Sequence, residues 1–526
     1  MIKNLYILIL SLIAIAIHAD NQQGIAYYKA GEPTIASQLF NKQLNGSPAE
    51  QAEALYYLGE IAFDAGKTAD ALTNYQKGWT VSSDYAYNKV GEGKVLLKTD
   101  KAAAQKAFDT ATKVDKKNVS VYVAIARAYS TYGMNSEAKA ALDNAKKYNI
   151  SDPAIYIYEG DMLISEDKPG DAAGRYEQAI HFDPSCKEAY LKYANVYQGV
   201  QPALSIEMLQ KVITNYPDYL PAYNQLGNIY SLQGTYSKAV AAYKTYMAGG
   251  LYSIDNLIHY ASALFFNKQY AEASQVINEG QAIDPNNFLL KRLCIYNNYE
   301  TKAYEKGLEE INTFFNDPDA KYIWQDYLYY GRLLNKAKQY DKAAEALLKA
   351  IKENPAHTEV YKDLAEVYSN SEKDSEAINA YTQYIESLGK ESEAADYYQL
   401  GKYYYSAATK DSLEAYNYLT KADSLFAIVK ERVPDSHLGS LWQARTQSQL
   451  DPETEQGLAK PYYETCISML EKNKDKYRNE LTECYRYLAY YYYLKQDMES
   501  SKSYWNKILA IDPSNATAQE ALENIK

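Results

Sequence analysis

A skeleton that returns every 34 residues constrains this chain more than any other feature. It is shared by VYVAIARAYSTYGMNSEAKAALDNA from Val121, AYLKYANVY from Ala189, AYNQLGNIYSLQGTYSKAVAAYKTY from Ala222 and DYLYYGRLLNKAKQYDKAAEALLKAIKENP from Asp326. A Tyr is followed by an apolar or aromatic residue three on, then Gly or Ala, another large residue, a later Ala and a closing Pro. Units beginning near Val119, Pro153, Lys187, Leu220 and Ile254 are separated by 34, 34, 33 and 34 residues, and those near Trp324 and Thr358 by 34. Further units near Ile17, Ala52, Tyr85, Phe288, Ala394, His437 and Thr482 bring the total to fourteen. One copy is an ordinary amphipathic helix pair, whereas a fixed period marks a stacked repeat array.

The repeat has a direct physical reading. Apolar residues at spacings of three and four put one stripe on each helix, and Gly or Ala at the crossing point lets two backbones approach closely. Pro184, Pro285, Pro355 and Pro513 stop the second helices, while adjacent Asp, Ser or Asn serve the turn or cap the next helix. Each hairpin has two faces to bury and can bury them only against its neighbours. The prediction is an all-α stack of antiparallel helix hairpins, closed by a polar capping helix at ATAQEALENIK. The scarcity of breakers, 24 Gly and 15 Pro in 526 residues, agrees with long regular segments.

The unit at Trp324 carries Tyr327, Tyr330, Gly331, Leu334, Ala343, Leu347, Ala350 and Pro355; the unit at Leu220 carries Tyr223, Leu226, Gly227, Tyr230, Gly234, Ala239 and Tyr243. With these residues the chain resembles the tetratricopeptide repeat (TPR) family over nearly all of its length after the leader. The resemblance implies a right-handed superhelical α-solenoid that binds a partner protein or peptide in its concave groove and does no chemistry. An accessory arm of a larger envelope complex or enzyme, and a carrier of a glycan or small ligand, remain open alternatives.

Three irregular segments interrupt the period. NNYETKAYEKGLEEINTFFNDPDA lacks the usual closing spacing, and SAATKDSLEAYNYLTKADSLFAIVKERVP holds roughly nine residues more than a short helix connection needs. DSHLGSLWQARTQSQLDPETEQGLAKPYYE lengthens the following unit and is similar to a segment of extracytoplasmic TPR proteins. These interruptions suggest a soft boundary near Asp317, giving an N-terminal array over 20–317 and a C-terminal array of longer helices with its cap over 318–526. At the N-terminus, the 13 apolar residues from Leu5 to Ile17 and Ala19 before the first acid match a secretory signal peptide over 1–19. Such a run is shorter than the about 20 residues a spanning helix needs. Cleavage after Ala19 is expected, with export across an inner membrane to a periplasm and no stable membrane insertion afterwards; the alternative is an uncleaved N-terminal anchor.

The 57 tyrosines, against 10 phenylalanines, raise the question of what so many hydroxyls do. Most are expected to fill inter-helix gaps with the hydroxyl at the wet edge. In YLAYYYYLKQ, from Tyr487, the repeat register points Tyr492 into the stack. Tyr490 and Tyr493 fall on the groove side with Arg486, and so do Tyr398 and Tyr405 of the unit at Ala394. These five are the first candidate partner-binding surface. Some TPR proteins grip an acidic C-terminus through Lys, Asn and Arg. Here Arg127, Asn195, Asn224 and Asn228 hold groove-side positions but the matching lysines are missing, which leaves them a second, weaker patch.

No signature of chemistry appears. Beyond His18 in the leader, His181, His259, His357 and His437 lie in separate repeats without metal-ligand spacing, and no phosphate loop or nucleophile elbow is present. No catalytic residue, metal or cofactor is expected. A formal charge of -12 without a basic stripe argues against nucleic acid as a partner. Cys466 and Cys484 flank one turn, so a disulfide and two free thiols both remain open.

Overall fold

The computed structural model describes residues 21–317 and 320–525, so the leader over 1–19 and its cleavage point lie outside the described residues. Among those residues the backbone forms twenty-nine α-helices and two short 3-10 helices, with no strand. Twenty-eight of the helices pair in chain order into fourteen hairpins, and the helix Ala516–Asn524 comes after them as the cap. First helices begin at Val119, Pro153, Lys187, Leu220, Ile254, Phe288, Trp324, Ala394 and His437, the residues at which the period places the units. The fold is the expected all-α array of stacked hairpins.

Local chemistry explains these limits. Ser47 and Ser253 form capping boxes with Glu50 and Asn256, and Asp152 accepts from the Ala154 amide at 3.0 Å to start the helix Pro153–Ser165. Second helices end at Phe182, Ile283, Glu353 and Ile511, each two residues before its proline. Most hairpin turns place one residue in the left-handed region just past the first helix. Gly31, Gly66, Gly133 and Gly234 do this without steric cost, whereas Asp167, Lys268, Lys302, Lys338, Glu372 and Gln496 do it at φ of 58–64°.

Contacts divide the chain into two compact units, one ending at Leu293 and the other beginning at Cys294, within the helix Phe288–Glu300. The loop at Asp317, where the sequence suggests a boundary, lies inside the second unit between the helices Tyr304–Phe314 and Trp324–Lys336.

A recurrent device accounts for several tyrosines of the first unit. Tyr75, Tyr176 and Tyr243 lie on second helices, each sixteen residues after a glycine of the first helix: Gly59, Gly160 and Gly227. A methyl group added at those glycines would meet the ring at 2.3, 2.4 and 2.5 Å, so the ring occupies the place of the missing side chain. Each hydroxyl then donates to the side chain next to its glycine: Glu60 at 2.6 Å, Asp161 at 2.9 Å and Asn228 at 2.7 Å. The ring fills the crossing while its hydroxyl fixes a polar group beside it.

Cys466 and Cys484 are free thiols, both fully buried in the core of the last hairpins. A hydrogen bond donated to Cys466 and then burial hold the Cys484 thiol far above its usual pKa.

Candidate functional site

In the first unit, one face of each of six successive first helices turns toward a common hollow of about 1270 Å³. Tyr28 and Lys29 come from the helix Asn21–Lys29, Tyr57, Glu60 and Asp64 from Pro48–Asp64, and Tyr87 from Tyr87–Leu96. Arg127 comes from Val119–Ser130, Asp161 from Pro153–Ser165, and Glu188 and Lys192 from Lys187–Tyr197. A smaller adjoining hollow of about 420 Å³ shares Tyr28, Glu60, Asp64, Arg127 and Asp161 and adds Phe63 and Lys94.

The first hairpin closes this unit on itself. Glu32, between its two helices, accepts from the side-chain amide of Asn224 and, at 3.4 Å, from that of Asn256. Lys29 pairs with Glu188 at 2.9 Å. The Tyr27 and Tyr246 rings meet edge-on with centroids 6.4 Å apart, and both are buried among Ile25, Ile35 and Leu39. An apolar seam with a polar centre thus joins the first hairpin to the seventh and eighth. Burial pushes the Glu32 carboxyl above its usual pKa, against hydrogen bonds from Asn256, Tyr246 and Asn224 that favour the charged form.

The charges of the hollow are mostly matched. Arg127 reaches Asp161 at 2.7 Å and Lys192 reaches it at 2.9 Å. Burial alone would raise the Asp161 carboxyl, but these two cations outweigh it and hold it below the usual range. Lys94 contacts both oxygens of Glu60, at 2.7 and 2.8 Å, and lies 4.1 Å over the Phe63 ring. Tyr28 donates to Asp64 at 3.0 Å, and burial pushes the Asp64 carboxyl up. Partners on neighbouring helices hold these side chains in one arrangement along the wall.

Of the second patch expected from sequence, Arg127 lines the hollow, while the three asparagines bond to neighbouring side chains and Asn195 stays exposed. Asn195 accepts from Gln225 at 2.6 Å, Asn228 accepts from Tyr243, and Asn224 is spent on Glu32.

In the second unit the five expected groove residues separate. Arg486, Tyr490 and Tyr493 are exposed on the helix Arg478–Leu494, the two tyrosines at 45% and 46%. Tyr398 and Tyr405, expected to be exposed with them, are half-buried and flank Trp442 edge-on, at 5.8 and 5.3 Å between centroids. The indole on the next hairpin fills the space that an open groove would leave, and packed rings are worth more than solvated ones. Tyr492 stacks on Tyr504 at 5.7 Å, in agreement with its expected place in the stack. The segment QLDPETEQGLAK that lengthens this unit wraps a buried Asp451, whose carboxylate accepts from the amides of Gln456, Gly457 and Leu458. Gly457 there leaves room for Tyr491, whose ring a Cβ would meet at 2.3 Å.

Residue-by-residue reading missed Tyr28, Glu32, Glu60, Asp64, Asp161 and Glu188. For two of them the signal was present: an acid directly after the crossing glycine, as in Gly59-Glu60 and Gly160-Asp161, with a tyrosine sixteen residues after that glycine. Nothing local marks Glu32, because its partners lie in other repeats.

Sequence profiles of the tetratricopeptide repeat match residues 21–83, 188–219, 220–247 and 334–398. The chain is similar to the TPR repeat-containing protein YpiA of Bacillus subtilis, with 23% identity over 234 residues, covering 43% of this chain and 54% of that protein. It is also similar to a TPR repeat-containing protein of Methanocaldococcus jannaschii, 23% identical over 387 residues, 69% of this chain and 62% of that protein. The chain therefore spans about half to three-fifths of the length of these curated relatives. Among solved structures, it is similar to the C-terminal part of a TPR repeat-containing protein of Cytophaga hutchinsonii, at 32% identity. That match covers 50% of this chain and 99% of that one, with a TM-score of 0.45.

Proposed function

Because the chain belongs to the tetratricopeptide repeat family, a fold of protein-interaction scaffolds, we propose that it binds an extended segment of a partner protein in the hollow of its first unit and carries out no reaction itself. The observation that supports this most is the convergence of six first helices on one hollow of about 1270 Å³, walled by tyrosines and matched charges. Tyrosine offers large, rigid contact area with a polar end, the combination that concentrates binding energy in interfaces. The exposed Arg486, Tyr490 and Tyr493 form a second contact surface. The apolar leader supports a place outside the cytoplasm, and among the described residues no helix is long and apolar enough to cross a membrane.

Selection of peptides from a display library on the full chain tests the reading. The selected peptides are expected to lose affinity on Arg127→Glu, which reverses a charge on the wall, and to retain it on Tyr490→Ala. Indifference to Arg127→Glu sinks the groove reading, and loss on Tyr490→Ala alone moves the site to the second unit.

A further inference from the structure

The helix Pro48–Asp64 carries two carboxylates one turn apart, Glu60 and Asp64, each beside aromatic rings at the wall of the hollow. The first is a completed box: the Lys94 ammonium bonds both Glu60 oxygens and lies 4.1 Å over Phe63. The second has the same parts without a directly paired cation, although the Lys94 charge also reaches Asp64 and favours its ionised form. Asp64 takes a hydroxyl from Tyr28, whose ring meets Tyr57 edge-on at 5.5 Å, and among the described residues no cation lies within ion-pair distance of it. The neighbouring cations are committed elsewhere, Lys29 to Glu188, Lys94 to Glu60, and Arg127 with Lys192 to Asp161.

Nor does the fold ask for an acid there. Asp64 ends its helix, where the macrodipole disfavours an anion, and no basic residue in the last turn offsets it. Other unmatched acids of the hollow have structural work: Asp152 caps a helix, and Asp183 takes the amide and hydroxyl of Ser185.

We propose that the Asp64 box is a recognition site for a cationic side chain, a lysine or arginine of the partner segment, held by the carboxylate beside the Tyr28 ring as Lys94 is held by Glu60 beside Phe63. This rests on the groove reading above.

Calorimetric titration of the full chain with a Gly-Ser-Tyr peptide carrying a single lysine, and with the same peptide lysine-acetylated, tests the box. Acetylation and Asp64→Asn should each weaken binding about tenfold or more, and both together no more than either alone, since they remove the same contact. Asparagine keeps an oxygen for Tyr28, so an unchanged melting curve is expected for that variant. Equal affinity for the two peptides, additive losses, or no binding of the lysine peptide overturns the box. If library-selected peptides are still lost on Arg127→Glu in those cases, the groove reading stands and the box alone falls; if they are retained, both fall.

Discussion

The Glu32 carboxylate accepts a hydrogen bond from the Asn224 amide across 192 residues of chain, at the polar centre of the seam by which the first hairpin closes on the seventh. Glu32→Ala strands the amides of Asn224 and Asn256, while the Asn224 carbonyl oxygen already lacks a partner. Leaving such groups unsatisfied costs about 1 to 3 kcal/mol. Hydrogen exchange should accelerate in Asn21–Lys29, Pro33–Gln43 and Leu220–Leu232 and hardly change in the second unit. Uniform exchange in the variant would mean that the seam does not depend on this pair.

The same residue has a pH signature. Because burial raises the folded-state pKa of Glu32, the folded chain holds a proton that the unfolded chain releases just above the ordinary glutamate value. Its contribution to stability is therefore complete below that ordinary value and is lost as pH rises through the raised one. Glu32→Gln has no such proton. The melting temperature of the native chain relative to Glu32→Gln should rise as pH is lowered from about 7 toward about 4.5, and a flat difference would count against the raised pKa.

At the crossing of the fifth hairpin, Gly160→Ala drives a methyl group into the Tyr176 ring, and overpacking of this kind costs about 1 to 3 kcal/mol. Tyr176→Phe keeps the ring and removes only the donor to Asp161, which retains Arg127 and Lys192, so about 1 kcal/mol is expected. Urea titration should rank the two in that order. The reverse order would show that the hydroxyl, and not the close approach, governs this contact.

Lys338 holds a left-handed turn at φ 59° and is exposed, so Lys338→Gly should stabilise the second unit by roughly 0.5 to 1 kcal/mol. Gly234→Ala, at φ 68° in the equivalent turn of the seventh hairpin, should destabilise the first unit by a similar amount. Denaturation midpoints moving opposite to this would indicate that these turns relax after substitution.

In the last hairpin, Tyr490→Ala with Tyr493→Ala removes two exposed rings and should shift stability by less than about 0.5 kcal/mol. Tyr485→Ala empties a fully buried site and breaks the hydroxyl bond to Glu471, at about 3 to 5 kcal/mol. Thermal melts separate the cases, and comparable losses would mean that the tyrosine run is packing throughout.

The range of each interaction decides how much of this was legible in the sequence. The helix starts at Val119, Leu220 and Trp324 depend on caps, prolines and small residues a few positions away, so the sequence alone determined the hairpins, their number and the class of fold. The fates of Tyr398, Tyr405 and Tyr490 depend instead on what the next repeat brings opposite them. Trp442 covers the first two, whereas the third is 45% exposed. The closure through Glu32, Asn224 and Tyr246 was decided by tertiary structure alone. A period records that every hairpin resembles its neighbour, whereas the curvature accumulated over seven hairpins selects which distant side chains meet, and that sum is not written at any single position.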